Sequence, residues 1–374
     1  MTTDSIGLYL HVPFCVRKCN YCDFCSFSGV DADTRKRYID RLIDEIHAYK
    51  KANKTAVDTI FFGGGTPTLL TPSELERILI SVDDTFKISQ DCEFTLEGNP
   101  GTVSPEGIKA YKSLGVNRFS LGLQSIHENE LKILGRIHNY TDFLNSYTAI
   151  YDSGITNINV DLMYGIPLQT LTSFEKTLRE ITRLSPTHIS SYGLILEEGT
   201  PFFEGRDNLP LPSEDSECDM YYLCSDILRS EGYDHYEISN YNRGGNSCRH
   251  NLKYWHADEY VGVGISAYSY FEGARYGNSR DMNEYLSSGG IYYTTKEQID
   301  SVSARFEYAM MRLRLREGFS LSEYERRFGE SFLIGRENKI EDMKSAGYII
   351  NDADRIALTE RGFYVSNSIL TELL

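Results

Sequence analysis

The run Gly7-Leu-Tyr-Leu-His-Val12, a loop dense in cysteine, the periodic segment Thr34–Tyr49 and the run Val57-Asp-Thr-Ile-Phe-Phe62 form the unit from which the fold is read. Each run is short, apolar and rich in β-formers, and the longer segment between them carries helical periodicity. The same alternation continues through Glu93–Glu97, Arg118–Gly122, Thr156–Asp161 and His188–Ile195. Helical candidates fill the intervals at Pro72–Asp83, Pro105–Ser113, Asp142–Ser153 and Leu171–Leu184. Thr71 and Ser104, each followed by Pro, are caps with proline in the first turn. Alternation of this kind predicts parallel strands covered by helices. Six strands are too few for a closed eight-stranded barrel, so the α/β reading is an open (β/α)6 partial TIM-type barrel over residues 1–205.

Past that point the pattern breaks. Asn208–Asp215 is a proline-containing linker, Glu217–Ser230 is helical, and Gly232–Gly277 is rich in Tyr, Gly and Asn, so residues 206–295 are read as a linker and an α+β extension. Residues 296–374 read as a compact winged-helix-like module: helices at Ser303–Arg316, Leu321–Phe328 and Ile334–Ala346, then a hairpin from Tyr348–Ile350 and Arg355–Leu358. Residues 301–374 hold 12 acidic and 11 basic side chains, so the module is a lid or docking surface rather than a DNA reader.

The bulk numbers narrow the function class. Of 374 residues, 41% are hydrophobic and 25% charged, as in an ordinary globular chain. A net charge of −16 argues against a nucleic-acid backbone as partner and against tight docking on anionic lipid. No stretch approaches the roughly 18 apolar residues a membrane span needs. The segment Met1-Thr-Thr-Asp4 lacks the basic and apolar regions of a signal peptide, so the expectation is a cytoplasmic protein that meets membranes only through partners.

In parallel α/β folds ligands gather at the C-terminal ends of the strands. Five polar loops converge there. The cysteine loop follows the first strand, Gly63-Gly-Gly-Thr-Pro67 follows the second, Glu97 ends the third, Gln124 follows the fourth and Asp161 ends the fifth. The cysteines themselves read Cys15-Val-Arg-Lys-Cys19-Asn-Tyr-Cys22-Asp-Phe-Cys25, four of the eight in the chain within eleven residues. Thiolates select zinc or iron–sulfur clusters. Structural zinc usually draws on two separated pairs, whereas ligands crowded on one loop suit three corners of an iron–sulfur cube. Cys25 is either a fourth ligand that closes the cube or a bystander, redox-sensitive thiol, and the second reading leaves one iron open.

The Cys-x3-Cys-x2-Cys spacing after the first strand resembles the signature of the radical S-adenosylmethionine superfamily. Leu8–Phe14, Glu97–Gly101, Gly115–Ser125, Leu134–His138 and Asn159–Pro167 resemble its coproporphyrinogen dehydrogenase-like branch. The resemblance implies a [4Fe–4S] cluster on Cys15, Cys19 and Cys22. It also implies S-adenosylmethionine held by Tyr9, Gly64, Gly65, Thr66, Glu97, Gln124, Arg136 and Asp161. A reduced cluster of this kind passes an electron to the sulfonium and cleaves its C–S bond.

Residues 250–255, His-Asn-Leu-Lys-Tyr-Trp, resemble the heme-binding motif of heme chaperones within the same branch. Imidazole is a good iron ligand, and Tyr254 and Trp255, the chain's only tryptophan, offer flat apolar surface. The resemblance makes His250 the heme ligand, with Cys248 as rival; the alternative is a hydrogen-bonded loop histidine among packing aromatics. Two functions stand. One is a chaperone that binds heme and delivers it to recipient hemoproteins, membrane-bound ones included. The other is an oxygen-independent coproporphyrinogen III oxidase, which would decarboxylate propionates. The dehydrogenase carries an extension ahead of its cysteines and ends their motif in Cys-x-Cys. Here Cys15 comes early and Phe24 separates Cys25 by a further position, which favours the chaperone. Heme, an electron donor and recipient hemoproteins are the expected partners, with a homodimer allowed.

Overall fold

The computed structural model describes residues 5–51 and 55–374. β1 (Ser5–Val12) leads into the cysteine loop, which is pinned at both ends by the short parallel pair β2 (Phe14–Cys15) and β3 (Phe27–Ser28). The barrel continues through β4 (Ala56–Gly64), β5 (Lys87–Gly98), β6 (Arg118–Gln124), β7 (Asn157–Tyr164) and β8 (His188–Gly193), every neighbouring pair parallel. The open six-stranded α/β barrel read from the sequence is therefore the observed core. Apolar residues such as Leu8, Leu10, Phe62, Leu96, Phe119, Leu121 and Val160 are fully buried toward the covering helices, while the alternate positions face the barrel axis.

The covering helices begin where cap chemistry dictates. Thr71 and Glu74 form a reciprocal capping box before the Pro72–Thr85 helix, and Ser104 caps Pro105–Ser113. Asn139 with Asp142 and Thr170 with Ser173 do the same for Tyr140–Asp152 and Leu171–Arg183. The helix Tyr140–Asp152 starts two residues earlier than the apolar periodicity implies, because Asn139 rather than a later residue satisfies the free amides.

An open sheet has two edges with unpaired backbone groups, and the extension covers both. β9 (Asp234–Glu237) and β10 (Asn240–Asn242) add antiparallel strands beside β8. β11 (Tyr260–Val263) pairs parallel with β1, as a seventh parallel strand, and β12 (Tyr268–Phe271), β13 (Ala274–Gly277) and β14 (Thr295–Gln298) follow antiparallel. The result is one 12-stranded sheet rather than a barrel with an appended layer.

The C-terminal module has its own apolar core, centred on Tyr308, Phe319, Tyr324, Phe332, Ile356 and Phe363. Helix Ser301–Arg312 leads to β15 (Phe319–Ser320); helices Leu321–Phe328 and Glu337–Ser345 follow, then the hairpin of β16 (Ile349–Asp352) and β17 (Arg355–Leu358), in a sheet of order β15-β17-β16. Among the described residues no helix is long and apolar enough to cross a membrane.

Candidate cofactor site

The strand ends and the cysteine loop enclose two contiguous lobes of a cavity. The smaller, about 130 Å³, is walled by Cys15, Cys19, Cys22, Gly64, Gly65 and Arg136. The larger, about 430 Å³, lies deeper in the barrel, and both lobes share Glu97, Ser120, Gln124 and Asp161.

The three cysteines are free and half-buried around the same lobe. Arg136 approaches Cys19, with Nη1 3.5 Å from Sγ. Its Nη2 donates to Asn99 Oδ1 at 2.7 Å and to the Gly122 carbonyl, and Nε is buried without a partner. Cys15 Sγ lies 3.6 Å from the hydroxyl of Thr66, which is buried and accepts from Asn99 Nδ2 at 2.8 Å. Cys25 lines neither lobe. It is buried with its thiol against the Arg280 carbonyl at 3.6 Å, and its own carbonyl pairs with His11 Nε2 at 2.7 Å.

The glycine loop is built for close approach. Gly64 has φ +108, and a Cβ there would stand 2.5 Å from the His11 ring. At Gly65 a Cβ would lie 2.7 Å from the Phe14 carbonyl oxygen and 2.9 Å from that of Val12. Gly65 N–H and Thr66 N–H donate to those same two oxygens, at 2.8 and 2.7 Å, which ties the glycine loop to the cysteine loop.

Glu97 and Asp161 face each other across the cavity. Burial, reinforced by the charge of Asp161, pushes Glu97 up to about 8. Burial also raises Asp161, against hydrogen bonds from Asn159 Nδ2 at 2.7 Å and Ser120 at 3.3 Å. Gln124 takes the left-handed conformation, φ 71, at the end of β6, which aims it into both lobes. Tyr9 lies behind the wall, its hydroxyl 3.0 Å from His11 Nδ1 and its ring stacked on Phe61.

A [4Fe–4S] cluster and S-adenosylmethionine fit this donor set. Three thiols from one loop face a common space beside the half-buried Arg136 guanidinium, and Gly64 and Gly65 line that space with no side chain of their own. Among the described residues no three His, Cys, Asp or Glu side chains close on a single metal ion.

His250 lies in the short helix Arg249–Trp255 and is 1% exposed. Nδ1 pairs with Thr59 Oγ1 at 2.8 Å and Nε2 with the Tyr254 hydroxyl at 2.9 Å, while the ring stacks on Phe61. Burial pushes the imidazole down to about 3, so it is neutral. Cys248 is fully buried, with Sγ 3.8 Å from Glu93 Oε1. The motif residue that reaches the cavity is Asn251.

Three site residues escaped the sequence reading. Asn99 bridges Arg136 to Thr66, and Arg118 and Asn251 wall the larger lobe. The signal for Arg118 was present: Arg118, Ser120, Gly122 and Gln124 alternate with Phe119, Leu121 and Leu123 along one strand, so the polar set shares the inner face.

Residues 9–181 match the radical SAM superfamily, and residues 303–365 match the HemN C-terminal domain. A solved structure of coproporphyrinogen III oxidase (HemN) from Escherichia coli superposes with a TM-score of 0.85 at 20% identity, over 98% of this chain and 89% of that one. Fold and site thus define a radical SAM superfamily protein with a HemN-type C-terminal module. A heme chaperone HemW from Lactococcus lactis is 35% identical over 98% of this chain and 96% of its own length; one from Escherichia coli is 33% identical over 98% and 97%. The chain belongs to the heme chaperone HemW family.

Proposed function

We propose that this protein binds heme and delivers it to recipient hemoproteins, with a [4Fe–4S] cluster on Cys15, Cys19 and Cys22 and S-adenosylmethionine beside it. The observation that carries this reading is where the His250–Trp255 segment sits: directly behind the cofactor cavity, with Asn251 in its wall and His250 stacked on Phe61, which also forms that wall. The names of the relatives, heme chaperones, point the same way.

In this reading the chain's own groups divide the work. Arg136 offsets thiolate charge at Cys19, and the backbone of Gly64 and Gly65 receives the amino-acid end of the nucleotide. Glu97, protonated near neutral pH, offers a hydrogen bond as donor as well as acceptor. Bound together, cluster and sulfonium supply one-electron reductive chemistry. His250 is the proposed heme ligand, with Cys248 as its rival; His250 is already neutral, so no proton competes with iron, but its Nε2 must leave Tyr254 to bind.

The test is anaerobic. Iron and sulfide are expected in the wild type and lost together in Cys15→Ala or Cys19→Ala. Heme titration is expected to give a Soret-band complex that His250→Ala weakens, with no consumption of coproporphyrinogen III. Product formation without heme binding would instead make the protein a decarboxylase.

A further inference from the structure

Arg118 opens β6 and is 2% exposed, yet it walls the deep lobe of the cavity with Phe61, Tyr192 and Asn251. A guanidinium carries five N–H donors. Here, among the described residues, its hydrogen bonding is confined to Nη1 and Thr95 Oγ1 at a long 3.5 Å, and Nε is buried with no partner. Carboxylates stand near but are occupied elsewhere. Asp161 takes Asn159 and Ser120, and Glu93 takes the backbone N–H groups of Arg249 and His250, each at 3.2 Å. They offset the charge of Arg118 without using its donors. A buried cation left this way is costly unless something else completes it. Asn251 presents a side-chain amide to the same lobe, and no described residue takes it up in a hydrogen bond. Toward the mouth the lobe turns apolar, with Phe24 66% and Ile195 68% exposed.

We infer that the deep end of this cavity is a carboxylate-binding subsite, in which Arg118 forms charge-assisted hydrogen bonds to the anion and Asn251 supplies a further donor. The chemistry it selects is an amphipathic ligand with a carboxylate at its buried end. The source that fits is a porphyrin propionate, which rests on the heme-chaperone reading; the amino-acid end of the sulfonium cofactor is already placed at Gly64 and Gly65, in the other lobe.

The experiment uses the full chain with its cluster, prepared anaerobically, and three probes: heme, heme dimethyl ester and S-adenosylmethionine. The wild type is expected to prefer heme over the diester by about tenfold or more. Arg118→Gln is expected to bring that preference to near one while leaving diester affinity unchanged, which assigns the subsite to a propionate. An unchanged preference with S-adenosylmethionine affinity about tenfold weaker, read from the cluster's EPR signal, would mean that Arg118 serves the cofactor and overturns the inference. Asn251→Asp sets a like charge against the anion at a half-buried position. It should lose affinity in the same arm, and it decides the matter alone if Arg118→Gln does not fold. Equal losses for heme and its diester with normal cofactor binding, or no change in any arm, overturn the inference. A wild type that binds the nucleotide but no heme defeats the chaperone reading; coproporphyrinogen III and its tetramethyl ester then replace the two heme probes, and equal affinity of Arg118→Gln and wild type for the acid overturns the inference.

Discussion

Both nitrogens of His250 are held, one by Thr59 and one by Tyr254, so the residue that most resembles a heme ligand is closed in this conformation. A hydrogen bond of this kind contributes about 1 kcal/mol net, which a ligand must overcome. Tyr254→Phe removes the hydroxyl and keeps the ring packed against His250 and Tyr260. If His250 ligates iron, heme affinity should tighten by about fivefold in that variant; a weaker affinity would mean that Tyr254 itself contributes to binding. Gly65 is the other residue whose role follows from its size. Its missing Cβ would collide with two backbone oxygens that cannot move without breaking the bonds between the glycine and cysteine loops. Gly65→Ala should cost about 1–3 kcal/mol. The cluster's EPR signal should then stop responding to S-adenosylmethionine, and a normal response would show that the loop has slack.

The helix Arg249–Trp255 depends on one carboxylate from the barrel. Glu93 receives the amides of Arg249 and His250 and lies against the Cys248 thiol, in place of a side-chain cap that Cys248 does not provide. Glu93→Ala leaves two buried donors unpaired, at about 1–3 kcal/mol each. Faster hydrogen exchange at those amides and quicker maleimide labelling of Cys248 are expected; unchanged exchange would mean that packing alone holds the helix. Elements like this explain what the sequence could and could not disclose. Barrel strands and their helices were legible because each pairs an apolar run with a cap residue, as at Thr71 and Ser104. The convergence of Glu97, Gln124, Asp161 and the cysteines was legible for the same reason, since strand ends fix where loops meet. The strand role of Tyr260–Val263 was not, because a four-residue run beside β1 carries no periodicity of its own and is defined by the edge it covers. Nor was the closure of His250, which arises from Thr59, 191 residues away, and from the burial the two strands create.

Across the whole molecule the C-terminal module is stitched to the barrel sheet by backbone. Ile238 N–H donates to the Arg314 carbonyl at 3.1 Å, Arg316 N–H to that of Tyr236 at 2.9 Å, and Glu237 bridges Leu315 between them. The side chain of Glu237 is 0% exposed at this seam, and neither carboxylate oxygen makes a hydrogen bond of good geometry. Burial dominates and pushes its pKa from 4.5 up to about 7, only partly offset by Asn240, the Ser239 amide and Trp255 nearby. Between those two values the folded chain holds a proton that the unfolded chain has released, so stability is full below pH 4.5 and falls as pH rises toward 7. The shift corresponds to about 3 kcal/mol lost by pH 8. Glu97, raised to about 8, acts with the same sign over a wider window. Glu237→Gln keeps the shape and cannot ionise. It should therefore melt at a higher temperature than the wild type at pH 8 and close to it at pH 4.5, with a residual slope from Glu97. Parallel melting profiles for the two proteins across that range would show that Glu237 keeps its proton or finds a partner in solution, and that the seam is not where pH acts on this fold.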